Sequence, residues 1–193
     1  MPRDEIDMSE VLDRPVLGAL LQYWEDKRRG RPMPARDDID PLEMGPKLLP
    51  HLVLCDLFDH GARVRFRLVG TTVVKRFGFD PTGQYLADQM RGGYIDLLLA
   101  LHRLVYCERT PLYSESVFRW SAKRRLELRH LLLPLTNGGA EPAIALLGLA
   151  CSSDEVFPPQ LRALNASAVF EEGRRAVLRP PALWDEVAGR KIA

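Results

Sequence analysis

Two histidines of this chain fall within apolar segments, at positions that the local periodicity places in a protein interior. His102 belongs to a helical pattern over residues 94–109 and shares one face with the apolar side chains of that pattern. His130 belongs to an alternating stretch, in which a two-residue period places it on one face with Leu128 and Leu132. A buried imidazole can orient a small ligand, exchange a proton or bind haem iron. The simpler interpretation is a core histidine that one hydrogen bond satisfies.

A predicted strand over residues 112–120 adds hydroxyl groups to the two histidines as candidate ligand contacts. One face of the strand carries Ser114, Ser116 and Trp120 between further apolar side chains. Hydroxyls among large apolar groups can line a ligand pocket, although the same pattern suits a solvent-facing sheet edge. We therefore expect a small-molecule site built from both sets. Its predicted members are His130, Leu128, Leu132, His102, Ser114, Ser116 and Trp120.

The sequence offers no arrangement that is typical of catalysis or of a structural metal. It has no Ser–His–Asp order, no His-Glu-x-x-His segment and no glycine-rich phosphate loop. Its three cysteines, Cys55, Cys107 and Cys151, lie far apart among apolar residues and include no Cys-x-x-Cys pair. We expect neither enzyme activity nor metal ligands, and the cofactor is left open. A haem sensor that uses His102, or an enzyme that uses either histidine with a carboxylate, is a weaker alternative.

Composition excludes several classes of partner. The 193 residues are 46% hydrophobic and 27% charged, which suits one folded domain with extensions. A net charge of +1 gives no general attraction to nucleic acid or to acidic membranes. No segment approaches the roughly 20 apolar residues that cross a bilayer, and the acidic N-terminus differs from a signal peptide. We expect a soluble cytoplasmic protein with neither nucleic acid nor membrane among its partners.

Hydrophobic periodicity predicts the elements that position these side chains. An amphipathic helix over residues 16–29 precedes a proline-rich segment that ends near residue 50. Strands are predicted over residues 51–58, 63–69, 112–120, 125–135 and 143–151, and a C-terminal helix over residues 161–177. This order predicts an α+β fold with a five-stranded antiparallel sheet and helices on one face, as in a PAS domain. The predicted divisions are an N-terminal helix and cap segment (1–50), a core (51–155) and a C-terminal helix and tail (156–193).

The last predicted strand, over residues 143–151, is apolar on both of its faces. Helices on one face of the sheet would leave the other apolar face in water, which a folded protein avoids. The N-terminal helix, which carries Trp24 on its apolar side, is the obvious cover, either from the same subunit or from a partner subunit. We therefore predict that this helix packs on the sheet and mediates a homodimer.

The polar segment over residues 36–41 has a structural interpretation of its own. Asp38 and Asp40 can accept hydrogen bonds from backbone amides at a short helix, and Pro41 suits the first turn of that helix. Arg36 can form a two-pronged ion pair with one of these aspartates. Farther along the chain, Gly70 and Gly83 suit a positive φ or a close backbone approach.

These segments also carry a resemblance to a known family. Tyr23-Trp24, Arg36-Asp37-Asp38-Ile39-Asp40-Pro41, Leu48-Leu49-Pro50-His51, Leu68-Val69-Gly70-Thr71 and Thr82-Gly83 resemble PAS_5, a family of PAS-like domains from proteobacteria. The resemblance covers roughly residues 16–155 and implies a PAS fold, a signalling role and no catalytic residues. Within it, structural roles fall to Trp24, Arg36, Asp38, Asp40, Pro41, Gly70, Thr71 and Gly83.

From these features we predict a stand-alone PAS-type sensor or adaptor in bacterial signalling. It would bind a small ligand, a protein partner or both, and a separate signalling protein would read its state. Output in trans is expected because the sequence shows no kinase, cyclase or DNA-binding motif. The alternative is a purely structural interaction module whose pocket is filled by its own side chains.

Overall fold

The computed structural model describes residue 6 and residues 8–89, 92–121, 124–152 and 169–178. Its strands are β1 (Leu52–Phe58), β2 (Arg63–Val69), β3 (Leu112–Ser121), β4 (Arg124–Thr136), β5 (Pro142–Cys151) and β6 (Val169–Val177). Its helices are α1 (Met8–Leu12), α2 (Pro15–Arg28), α3 (Pro41–Leu48), α4 (Thr71–Phe77), α5 (Leu86–Gln89) and α6 (Gly93–Glu108). The six strands form one antiparallel sheet in the order β2-β1-β5-β4-β3-β6.

The α+β class, the antiparallel sheet and the five predicted strands are confirmed. Strand β2 has the predicted bounds, β1, β3 and β5 differ from the prediction by one residue at one end, and β4 is one residue longer at each end. The N-terminal helix and the long helix before β3 are α2 and α6. Strong hydrophobic periodicity marks all of these elements, which explains why they are readable from the sequence.

The predicted helix over residues 161–177 is wrong where the structure describes it, because Val169–Val177 form strand β6. The other part of that prediction, residues 161–168, lies outside the described residues. Strand β6 pairs antiparallel with β3, so the sheet has one strand more than predicted. Gly173 lies inside the segment and costs a helix about 1 kcal/mol relative to alanine. Backbone pairing with β3 therefore outweighs a weak helical preference.

Helices α4, α5 and α6 cover one face of the sheet, which we call the inner face. Leu98, Leu101 and Val105 of α6 are buried there in one apolar core with Phe66 and Leu147 of the sheet. Their spacing of three and four residues is that of a single helical face. Both histidines belong to this layer, since His102 lies on α6 and His130 on β4.

Helix α2 covers the opposite, outer face of the sheet of its own chain. Leu17, Leu20 and Trp24 are completely buried in a second apolar core. The Trp24 indole Nε1 donates a hydrogen bond to the Pro134 carbonyl oxygen of β4 at 2.9 Å. A Cβ at Gly148 would lie 2.8 Å from Leu20 Cδ2, so glycine in β5 permits this close approach. Packing on the sheet is confirmed, whereas a homodimer stays a prediction, and it cannot use this buried face.

The capping roles of the polar segment are confirmed, but the predicted role of Arg36 is wrong. Asp38 Oδ2 accepts from the Ala35 amide at 2.7 Å, and Asp40 Oδ1 accepts from the Leu42 amide at 2.8 Å at the start of α3. The arginine that pairs with Asp38 is Arg31, at 2.7 Å. Arg36 instead donates to a backbone carbonyl, that of Ile39, at 3.0 Å. Arg31 reaches the carboxylate because it lies just beyond the end of α2, a proximity that sequence spacing does not reveal.

Gly70, Thr71, Gly83 and Pro41 occupy structural positions. Gly70 has a negative φ of −65°, but a Cβ there would lie 2.5 Å from the Leu49 and Pro50 carbonyl oxygens, so it serves a close approach. Gly83 has a φ of +83°, which is the left-handed conformation that glycine accepts most easily. Thr71 and Pro41 are the first residues of α4 and α3. Within the described part of the chain, no helix is long and apolar enough to cross a membrane.

Candidate functional site

A small cavity lies between α6 and the inner face of the sheet, and we call it the histidine cavity. Its volume is about 20 Å³. The side chains around it are Val53, Cys55, Phe66, Val73, Phe77, Leu86, Tyr94, Leu98, His102, His130, Leu147 and Leu149. Two of the predicted site residues, His102 and His130, are thereby brought together from a helix and a strand. Apart from the two histidines and Tyr94, the lining side chains are apolar groups and the Cys55 thiol.

His102 is one of the lining residues, and one of its ring nitrogens lacks a hydrogen-bond partner among the described residues. Its ring is 1% exposed, and its Nδ1 lies 2.7 Å from the Leu98 carbonyl oxygen one helical turn earlier. Burial lowers the pKa of His102 to about 4, against a smaller opposing effect of that hydrogen bond, so the imidazole is neutral at pH 7. A carbonyl oxygen can only accept, so the single proton is on Nδ1. Nε2 therefore carries a lone pair, and it has no hydrogen-bond partner among the described residues.

His130 is held by the phenol of Tyr94. Its Nε2 lies 2.9 Å from Tyr94 Oη, and the Tyr94 ring packs edge-on against Phe118 with centroids 4.9 Å apart. Burial raises the pKa of Tyr94, so its hydroxyl stays protonated and can donate to His130 Nε2. Burial, and next the nearby His102, lower the pKa of His130 to about 4, while the Ser114 backbone has an opposing effect. His130 is neutral as well.

The two serines lie beside the cavity without lining it. Ser114 and Ser116 are almost completely buried in β3, where their cross-strand partners in β4 are His130 and Leu128. Neither Oγ has a hydrogen-bond partner among the described residues. A buried hydroxyl without a partner costs roughly 1–3 kcal/mol, so these groups mark a polar area within an apolar layer.

The remaining predicted ligand contacts have different outcomes. Leu128 and Leu132 are completely buried in the same core, but they do not line the cavity. Trp120 belongs to strand β3, and its side chain lies outside the described residues. Tyr94 is a polar lining residue that the sequence prediction missed, along with the apolar ones. It precedes Leu98 and His102 by one and two helical turns, so the same helical spacing places it on their side of α6.

The cavity does not fit haem. A volume of about 20 Å³ is close to the smallest space that holds one water molecule, roughly 10–15 Å³ on the same measure. Within the part of the chain that the structure describes, no group of three or more histidine, cysteine or acidic side chains could hold a metal ion. The haem alternative through His102 therefore has no support from the geometry of this site.

A second, larger depression lies on the solvent side of α6. It has a volume of about 550 Å³, and its described lining comes from a single helix face: Asp96, Leu99, Ala100, Arg103, Leu104 and Cys107. It is open to solvent, and none of these six side chains is fully buried. Because a specific site needs polar groups at fixed positions in a desolvated setting, the histidine cavity is the better candidate despite its size.

Comparison with known proteins agrees with this architecture. A family model described as a PAS domain, PAS_5, matches residues 12–150, which is most of the chain and includes the N-terminal helix α2. No curated protein matches the chain, and no solved structure does so either. A match of this extent supports a PAS-type signalling or interaction domain. The chain belongs to the PAS_5 family of PAS domains.

Proposed function

We propose that this chain is a sensor whose histidine cavity binds a small neutral molecule. The observation that carries the proposal is the buried Nε2 of His102, which has no hydrogen-bond partner among the described residues. Leaving a buried acceptor unpaired costs roughly 1–3 kcal/mol. A bound molecule that donates a hydrogen bond to Nε2 recovers this free energy, and one without a donor does not.

The surroundings of His102 define the class of ligand. Both histidines are neutral, and the walls are apolar, so a charged ligand would lose its hydration without gaining a counter-charge. The ligand is therefore a small alcohol, phenol or N–H heterocycle with one apolar side. Phe66 and Phe77 provide flat surfaces for that side.

Binding requires the cavity to expand. Strands β1, β4 and β5 are interior strands of the sheet and are held on both edges. The opposite wall includes Val73 and Phe77 of α4, which has seven residues, and Leu86 of α5, which has four. Short helices with few buried side chains open at low free-energy cost. We propose that α4 and α5 move outward when the ligand enters.

We further propose that a separate signalling protein reads the ligand-bound state. This is supported by the PAS-type family to which the chain belongs. In this proposal the chain binds and does not catalyse, and it acts in the cytoplasm as a homodimer. A ligand shifts the conformation only by its difference in affinity for the two states.

A second candidate function is an interaction module with a pocket filled by its own side chains. The observation in its favour is the cavity volume of about 20 Å³, which leaves space for one water molecule at most. In that case the water satisfies His102 Nε2, and the domain has only protein partners.

Thermal unfolding with matched probes separates the two functions. Phenol donates a hydrogen bond, and toluene has a similar shape without a donor. We expect phenol at ten times its Kd to stabilise the chain by about 1.4 kcal/mol and to bind roughly tenfold more weakly to His102→Leu. Toluene affinity should be equal in both chains. If phenol binds neither chain and mass spectrometry of the denatured purified protein finds no small molecule, the interaction module is the correct function.

A further inference from the structure

Strand β6 lies outside the region that the PAS family model matches, since that match ends at residue 150. It forms the edge of the sheet beside β3 through seven paired residues between Leu112 and Arg119. Without β6, β3 would present a row of unpaired backbone groups, which can pair with another strand. The β3 edge is thus a strand-binding site, and β6 occupies it in this structure.

None of the described side chains of β6 is fully buried. Among its described side chains, Glu171 and Gly173 are exposed, and those from Arg174 to Val177 are half-buried. Among the side chains that the structure describes in this segment, the first fully buried one is Leu178, immediately after the strand. The interior strands β4 and β5 are different, because most of their side chains are fully buried. A strand that relies on backbone pairing at an edge separates more easily than the core does.

The β3 edge nevertheless recognises β6 specifically. The register between β3 and β6 shifts between Ser114 and Ser116. Gly173 lies at this shift, where an added Cβ would be 2.9 Å from the Glu115 carbonyl oxygen. The next residue, Arg174, donates to Glu115 at 3.0 Å and to Glu10 of α1 at 2.6 Å. In the observed register, glycine lies at the shift and arginine follows it.

The connection to β6 is longer than its present pairing needs. The end of β5 and the start of β6 are separated by three strand spacings across the sheet, about 14 Å, and by about 10 Å along the strands. Residues 153–168 join Ser152 to Val169, and a connection of this length can span about 50 Å when extended. Its length therefore permits β6 to reach the β3 edge of a neighbouring molecule.

We propose that β6 exchanges between two copies of this chain, so that the β6 of each copy pairs with the β3 of the other. A second copy is the best occupant because its β6 repeats every contact of the original, including Gly173 against Glu115 and Arg174 with both glutamates. An exchange of identical strands preserves the pairing of the sheet. The proposal is independent of any ligand in the histidine cavity.

Cross-linking between two different chains tests this proposal directly. Val117 and Glu171 face each other across β3 and β6, so one chain carries Val117→Cys and the other carries Glu171→Cys. Both also carry Cys107→Ser, which removes the exposed native thiol. The chains are unfolded together, refolded and treated with a short bismaleimide.

A chain with both new cysteines is the positive control. The pair Val117→Cys with Arg175→Cys is the negative control, since Arg175 lies opposite Ser114.

The expected result is a covalent dimer of the two chains, at a yield severalfold above that of the negative control. Arg174→Ala in both chains should make exchange between already folded chains roughly tenfold faster, because it weakens the closed edge. The final dimer fraction should stay nearly the same, since the monomer and the dimer lose the same contacts. The proposal is overturned if the mixed chains give no dimer while the positive control cross-links within one chain, or if wild type refolded at high concentration sediments only as a monomer.

Discussion

At the scale of single residues, the surroundings of each ring nitrogen determine which hydrogen bonds the two buried histidines can form. A helical carbonyl fixes the tautomer of His102, and the Tyr94 hydroxyl lies within hydrogen-bond distance of His130 Nε2. Burial keeps both rings neutral. His102 Nε2 is therefore a hydrogen-bond acceptor inside an apolar layer. Buried acceptors rarely lack a partner, and this one is the chemical basis of the proposed site.

Acid should destabilise the chain through these two rings. The pKa of each falls from 6.5 in an open chain to about 4 in the fold, so the unfolded state binds more protons between these values. Stability is therefore full above pH 6.5 and is lost as pH falls towards 4. At pH 5 the loss is roughly 2 kcal/mol for each histidine. Urea unfolding from pH 7.5 to pH 5 measures it.

The variant His102→Leu provides the control for this pH dependence. It should retain about half of the loss between pH 7.5 and pH 5, because only His130 still gains a proton on unfolding. An unchanged pH slope in this variant would show that His102 is not neutral and buried in solution.

Two glycine substitutions distinguish close approach from backbone conformation. In Gly70→Ala the new methyl group meets two backbone carbonyl oxygens at 2.5 Å, so we expect a loss of about 3 kcal/mol. In Gly83→Ala no atom lies within 4 Å, and only the positive φ is unfavourable, so the loss should be about 1 kcal/mol. Denaturant unfolding of both variants measures the difference, and equal losses would contradict the close approach at Gly70.

At the scale of elements, α2 and β6 complete a sheet that would otherwise expose an apolar face and an open edge. Helix α2 does so with fully buried side chains, including Trp24, and β6 does so by backbone pairing, the ion pairs of Arg174 and the half-buried Ala176 and Val177. The first attachment is strong and the second is weak. This difference explains why exchange between molecules is expected for β6 and not for α2.

Substitutions at Trp24 measure how firmly α2 is attached. Trp24→Phe removes the hydrogen bond to the Pro134 carbonyl oxygen and should cost about 1–2 kcal/mol. Trp24→Ala also leaves a large cavity and should cost about 3–5 kcal/mol. Chemical denaturation gives both values. A loss below 1 kcal/mol for the alanine variant would mean that α2 does not cover the sheet in solution.

The sequence predicted the elements well wherever hydrophobic periodicity was strong, and less well where a partner decided the outcome. Five strands, α2 and α6 follow directly from period and polarity. Strand β6 was missed because its central Glu-Glu-Gly-Arg-Arg has no clear alternation, and its conformation depends on the β3 edge. The predicted ion pair of Arg36 is wrong because Arg31 reaches Asp38 once the chain has folded. The two histidines were each placed correctly in the core, but their meeting across helix and sheet was not predictable from spacing.

At the scale of the whole molecule, the chain is a PAS domain with two apolar cores on the two sides of one sheet. The inner core contains the candidate sensing group, and the outer core holds the N-terminal helix. Sensing then requires one structural change, an outward movement of α4 and α5 that makes space beside His102. The exchange of β6 is a separate property of the opposite sheet edge.

Nitrogen NMR of the histidine rings tests the sensing claim most directly, because it observes His102 Nε2 itself. At pH 7 this nitrogen should have the chemical shift of an unprotonated ring nitrogen, and Nδ1 that of a protonated one. Phenol should move the Nε2 resonance towards the hydrogen-bonded range, and toluene should leave it nearly in place. A protonated Nε2 would contradict the proposed sensing site. So would an Nε2 resonance that stays in place while phenol binds elsewhere on the chain.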